Sequence, residues 1–270
     1  LHAPLAFGDE PDWVKRLAAR LRGFDPVALG RVVEERVTRR DERKYFRFRY
    51  SRHYGGGAVG DVVGCNLRCA FCWTGRPRDD LRLGDFVSAR EAARRLTRIA
   101  RMRGARIVRL SAGEPSLGWS HLLEVMRRVL SSGLFFVLET NGVMMGAEPS
   151  RADELLECCG GEGYLVRVSV KACSGVWFKA LTAASEEGLN LQLRAIEALY
   201  SRGVPLRVAV FAAFGSSRCW GNLLRIVARL SSETVVRDVE VEPLVLYPVT
   251  RRRLNAIGAK PTNPELVFEP

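Results

Sequence analysis

From residue 57 onward the chain alternates between two kinds of text. Short runs rich in β-branched and other apolar residues, at 57–63, 106–111, 134–139, 164–171, 206–211 and 239–246, are separated by stretches with helical periodicity. Strands that must cross over through a helix pair in parallel, with right-handed returns. The expected fold is therefore α/β: a partial (β/α)6 TIM-type barrel of mostly parallel strands with an N-terminal helical extension. Residues 1–43 read as that extension, with Asp25-Pro26 as a helix start; 44–250 read as the barrel, and 251–270 as a polar tail. Ser88-Ala89-Arg90-Glu91 matches a capping box for the first crossover helix, and Gly104 marks its end. In such barrels the functional residues collect at the C-terminal ends of the strands.

The loop after the first strand holds Cys65, Cys69 and Cys72 in the run Gly64-Cys65-Asn66-Leu67-Arg68-Cys69-Ala70-Phe71-Cys72-Trp73. Three thiols this close are too crowded for a disulfide framework. A zinc site wants a fourth ligand at paired spacing, and His2, His53 and His121 do not supply one. Three thiolates suit an iron-sulfur cluster with one iron left open for a substrate or cosubstrate.

Of the 42 basic residues only five are lysine, and with 30 acidic residues the formal net charge is +12. Such a surplus permits a polyanionic partner. Arginines concentrate at 36–52, 90–109 and 251–253, and 44–50 interleaves them with aromatics, a pattern that fits either base stacking or a half-buried strand. No run of 18 apolar residues and no signal-peptide pattern is present, so a cytoplasmic protein with no membrane partner is expected.

The cysteine spacing, with Phe71 before the third cysteine, resembles the signature of the radical S-adenosylmethionine (SAM) superfamily. Further strand ends extend the resemblance. Ser111-Ala112-Gly113-Glu114-Pro115 is similar to the family's Gly-Gly-Glu-Pro segment, with Ala112 replacing the first glycine. Glu139-Thr140-Asn141-Gly142 resembles the Asp-Thr-Asn-Gly of the pyruvate formate-lyase activating enzyme-like branch. Ser169-Val170-Lys171 stands where that branch has Asp-Leu-Lys, and period-two alternation puts Ser169 and Lys171 on one face.

The resemblance implies a [4Fe-4S] cluster on Cys65, Cys69 and Cys72, and a SAM pocket formed by Phe71, Trp73, Gly113, Glu114, Glu139, Thr140, Asn141, Ser169, Lys171 and Arg207. It implies a monovalent cation beside Glu139 and Thr140. A small residue at 112 is expected to preserve the close backbone approach with negative φ. The activity implied is reductive cleavage of SAM to a 5′-deoxyadenosyl radical that abstracts hydrogen from a protein or peptide, supported by an electron donor such as a ferredoxin or flavodoxin. RNA is the alternative substrate, and a non-catalytic electron-transfer or scaffold protein the alternative class. Cys173, just past Lys171, is a candidate hydrogen donor or methyl acceptor. Cys158, Cys159 and Cys219 read as small buried hydrophobes.

Overall fold

The computed structural model describes residues 8–270, so residues 1–7 of the expected extension, His2 among them, lie outside the described residues. Two helices come first, α1 (Asp12–Arg20) and α2 (Pro26–Val37). The Asp25 carboxylate caps α2 by accepting from the amides of Val27 and Ala28, with Pro26 in the first turn. The hairpin β1 (Thr38–Arg39) and β2 (Glu42–Ser51) follows, and β2 runs antiparallel to β3 (Gly57–Val62). β4 (Asp85–Ser88) pairs with the start of β2.

The repeating part then unfolds as α3 (Ala89–Met102), β5 (Ile107–Ala112), α4 (Trp119–Leu130), β6 (Phe135–Thr140), α5 (Val143–Ala147) and α6 (Arg151–Cys159). It continues through β7 (Tyr164–Val170), α7 (Gly175–Thr182), α8 (Glu187–Ser201), β8 (Leu206–Val210), α9 (Ser217–Leu230), α10 (Glu233–Arg237) and β9 (Glu240–Val241). β3, β5, β6, β7, β8 and β9 are successive parallel neighbours, the six-stranded order expected of a partial barrel.

Strand alternation divides the sheet into two unlike faces. Val166, Val168 and Val170 are fully buried on one, and with Phe136 and Leu138 they belong to the main hydrophobic core. Each such side chain contributes about 1.5–3 kcal/mol through burial. The inner face is polar. Across it the register aligns Arg47, Asp61 and Ser111 on β2, β3 and β5, and Glu139, Arg167 and Arg207 on β6, β7 and β8.

Residues 44–50 form part of strand β2. A register shift between Tyr45 and Arg47 lets Tyr45 and Phe48 stack at 4.8 Å while Phe46 is left exposed. The expected last strand is cut short by Pro243, which has no N–H for the ladder. β10 (Leu244–Val245) instead pairs with β11 (Val267–Phe268) after α11 (Pro248–Ala256). Residues 251–270, expected as a polar tail, fold onto the body through α11, β11 and the contacts of Arg253 and Asn263. At the other end α1 packs on α7, with Trp13 set edge-on to Trp177 at 5.4 Å.

Candidate active site

The cysteine loop leaves β3 at Val62 and is pinned from several directions. Its Arg68 and Ala70 amides donate to the carbonyls of Thr182 and Leu181 at the end of α7. Phe71 stacks on Phe211, just past β8, at 3.7 Å between ring centroids. Three guanidinium groups cap its carbonyls: Arg68 on Cys65, Arg78 on Cys69 at 2.7 Å, and Arg253 on Cys72 and Thr74 at 3.0 and 2.7 Å. Arg253 belongs to α11, so the C-terminal segment completes the loop.

Burial pushes the Cys65 thiol up to about 12, with the Glu114 carboxylate adding to the effect. Burial also raises Cys69, to about 11, against the pull of Lys171 and Arg78. Such thiols keep their protons at neutral pH unless a metal displaces them. Among the described residues no three His, Cys, Asp or Glu side chains converge on a single-ion position. A cluster requires a different arrangement, one thiolate per iron. An all-thiol donor set in a mostly buried loop, ringed by cations that offset the charge of thiolate-bound iron, fits a [4Fe-4S] group.

Beside the loop, the end of β5 makes very close backbone contact. Gly113 donates to Val62 O, and the Glu114 amide donates to Gly64 O at 2.8 Å. A Cβ at position 113 would lie 2.2 Å from Gly64 O, so only glycine fits. Ala112 has φ of 72°, contrary to the expected negative value. It holds a left-handed conformation that costs a residue with a Cβ about 1–2 kcal/mol.

The Glu114 carboxylate is buried and fully engaged with the protein. One oxygen accepts from Thr140 Oγ1 at 2.7 Å and from the Ser116 amide at 3.1 Å; the other accepts from the Asn141 amide at 2.8 Å. Asn141 in turn donates to Asn66 Oδ1 at 2.7 Å and approaches Cys65 Sγ at 3.9 Å. Glu114 and Asn141 thus couple the ends of β5 and β6 to the cysteine loop.

Ser169 on β7 and Lys171, just past its end, share the inner face as expected. Lys171 Nζ donates to Ser169 Oγ at 2.5 Å, and Ser169 Oγ donates to Glu242 at 2.7 Å. Glu242, just beyond β9, also accepts from Arg167 and lies 3.9 Å from Lys171 Nζ. Burial alone would raise this carboxyl, but the Lys171 and Arg167 charges outweigh it and hold it at about 2. Gln192 of α8 ties the rims together: its amide donates to the carbonyls of Asn141 and Ser169, and its Oε1 accepts from the Lys171 amide. Neither Glu242 nor Gln192 lies in a recognisable sequence motif. Gln192 has one signal, a buried amide among the leucines of α8; Glu242 has none until β9 pairs with β8.

Three expectations change. Cys173 is not a free thiol: it is disulfide-bonded to Cys219, and both are fully buried. The turn after β7 and the start of α9 approach so closely there that a Cβ on Gly215 would meet Cys173 Sγ. Glu139 and Thr140 do not come together around a cation, because consecutive strand residues face opposite ways. Glu139 pairs with Arg109 at 3.0 Å and the Thr140 hydroxyl is spent on Glu114. Arg207 sits near the start of β8, four residues and about 13 Å of strand from Phe211, so it does not join the rim cluster. Trp73 is at the rim, 42% exposed, with the Arg49 guanidinium 6.0 Å above its ring.

The fold has solved counterparts. A variant of spore photoproduct lyase bound to AdoMet and dinucleoside spore photoproduct superposes with TM-score 0.56 at 14% identity, covering 80% of this chain and 65% of that one. SuiB of Streptococcus suis bound to its precursor peptide SuiA gives 0.50 at 15% identity, covering 63% of this chain and 37% of that one. A probable GTP 3′,8-cyclase of Thermococcus kodakarensis is 28% identical over 181 residues, which is 66% of this chain and 54% of that protein. The chain thus matches about half the length of that curated relative. The sequence pattern of the Radical SAM superfamily matches residues 61–215, from the end of β3 to the loop after β8, and the chain belongs to that superfamily.

Proposed function

We propose that Cys65, Cys69 and Cys72 hold the [4Fe-4S] cluster used by this superfamily and that SAM binds between the cysteine loop and the ends of β5, β6 and β7. When bound, the cluster supplies the electron that splits a carbon-sulfur bond of SAM, releasing methionine and a 5′-deoxyadenosyl radical. The chain's own residues bind and orient. Lys171, beside Cys69 and Glu242, offers the cationic seat for the methionine carboxylate. The glycine at 113 lets the end of β5 pack directly on the Gly64 backbone, which sets the cysteine loop beside that strand end. Ser169 replaces the acidic residue of the resembled branch, but Glu242 on its hydroxyl restores a carboxylate to that place. Glu114 and Gln192 are positioning residues, since their polar atoms are taken up by neighbouring loops. The carrying observation is this single bonded network joining the cysteine loop to three strand ends.

The substrate lies on the polar inner face, where mixed charges suit a partner bearing both donors and acceptors. A protein or peptide segment is the first class to test there. RNA is the second reading, favoured by one observation: the outer helices α3 and α4 carry seven arginines against two glutamates. The required reductant enters through the Trp73 side of the loop, the exposed approach to Cys72.

The deciding experiment is anaerobic reconstitution with iron and sulfide, reduction, and chromatography of 5′-deoxyadenosine. Product that disappears in a triple alanine variant of Cys65, Cys69 and Cys72 supports the reading. A wild type that carries no cluster after reconstitution sinks it. Lys171→Ala is expected to keep the cluster and lose SAM affinity, which isothermal titration reads directly.

A further inference from the structure

On the outside of the barrel, away from the site just described, α3 and α4 enclose a groove of about 620 Å³ lined by Arg90, Arg94, Arg98, Arg101 and Arg128. Four of these recur once per turn along α3, so their guanidinium groups follow one line about 16 Å long at intervals of about 5–6 Å. Only Glu91 and Glu124 oppose the seven arginines of the two helices, and each is already shared, by Arg94 with Arg95 and by Arg127 with Arg128. The difference, +5, is a large part of the +12 carried by the whole chain. Among the described residues Arg90, Arg98 and Arg101 make no side-chain hydrogen bond or ion pair.

This arrangement works against the stability of α3. Arginines four residues apart repel one another, and Arg90 lies at the positive end of the helix dipole. A ligand that neutralises the line would relieve that repulsion. Arginine offers paired donors matched to phosphate oxygens. A protein partner would instead need an apolar centre, and the groove's main exposed apolar side chain is Met102. We infer that the α3–α4 groove is a docking surface for the phosphate backbone of a nucleic acid.

The groove starts on the side of the sheet that carries the cysteine loop. α3 begins directly after β4, which pairs with the stretch of β2 beside the C-terminal end of β3. A strand lying along the groove therefore runs from the catalytic rim down the outside of the barrel. The groove presents charge without aromatic stacking groups, so binding there is independent of sequence.

The test uses the reconstituted protein and a labelled oligouridylate, with affinity measured by fluorescence anisotropy across a salt series. The combined variant Arg90→Ala, Arg98→Ala, Arg101→Ala is expected to bind roughly tenfold more weakly and to flatten the salt slope by about 2, the value for three lost phosphate contacts on a single strand. Glu124→Gln, which releases Arg127 and Arg128, is expected to bind more tightly, an outcome that misfolding does not produce. Unchanged affinity and slope in the triple variant overturn the assignment. So does polyglutamate that displaces the RNA charge for charge, which would make the groove a seat for an acidic protein. Formation of 5′-deoxyadenosine, followed in parallel, stays at the wild-type level in the triple variant, which separates failure of the docking surface from failure of the catalytic reading.

Discussion

The Glu114 carboxylate and the Asn141 backbone amide meet at 2.8 Å, tying the loop after β5 to the loop after β6 directly beside the first cysteine. Because Glu114 also accepts from Thr140 and Ser116, one buried carboxylate holds the loop after β5 and the end of β6 together through three hydrogen bonds. Glu114→Gln keeps the shape but turns an acceptor into a donor facing other donors. Bonds to a buried charge are each worth about 1.5–3 kcal/mol. SAM affinity is expected to fall at least tenfold and cluster occupancy to drop, measured by calorimetry and by iron and sulfide content. Normal values for both would remove Glu114 from the machinery.

Ala112 provides a test of opposite sign. At φ of 72° it sits where glycine is at ease, so Ala112→Gly is expected to gain up to about 1 kcal/mol once the greater freedom of the unfolded chain is subtracted. Ala112→Val should lose more than that. Denaturant unfolding gives both numbers, and a less stable glycine variant would show that the conformation is unstrained.

The Glu242 carboxyl is held at about 2, below its ordinary value of 4.5. A depressed carboxyl contributes its stability above the unfolded value, and that contribution fades as the pH falls from about 4.5 toward 2. Linkage puts the loss on the order of 3 kcal/mol. Unfolding curves of wild type and Glu242→Gln should therefore converge on acidification across this window. Parallel curves would mean that Glu242 does not feel Lys171 and Arg167.

The Cys173–Cys219 bond closes a segment with sequence separation 46. Chain-entropy arguments place its contribution near 4 kcal/mol. Cys219→Ser is expected to lower the unfolding temperature, and peptide mapping without reductant should recover the cross-linked pair. Recovery of two free thiols from the native protein would argue against the bond.

Much of the frame was legible because its signals are local. The strand-helix alternation, the Asp25 and Ser88 caps and the cysteine spacing each lie within a few residues, and each appears where expected. Lys171 and Ser169 were legible together because strand periodicity alone puts them on one face. What escaped depends on distant pairing. Glu242 meets Ser169 only because β9 returns beside β8, and Gln192 reaches two rims only once α8 lies across them. Cys173 reads as a candidate reactive thiol because its partner, Cys219, lies 46 residues away on α9. The φ of Ala112 is imposed by the contact between Gly113 and Gly64, which no propensity encodes.

Arg253 caps the carbonyls of Cys72 and Thr74 from α11, about 180 positions further along the chain. During synthesis the cysteines emerge early, but the scaffold that fixes their loop is finished only when α11 has left the ribosome. Iron and sulfide delivered before then meet a loop without its last clamp. A chain truncated before α11 is therefore expected to hold its cysteines in a loop that lacks the Arg253 clamp, and to retain less iron and sulfide after reconstitution.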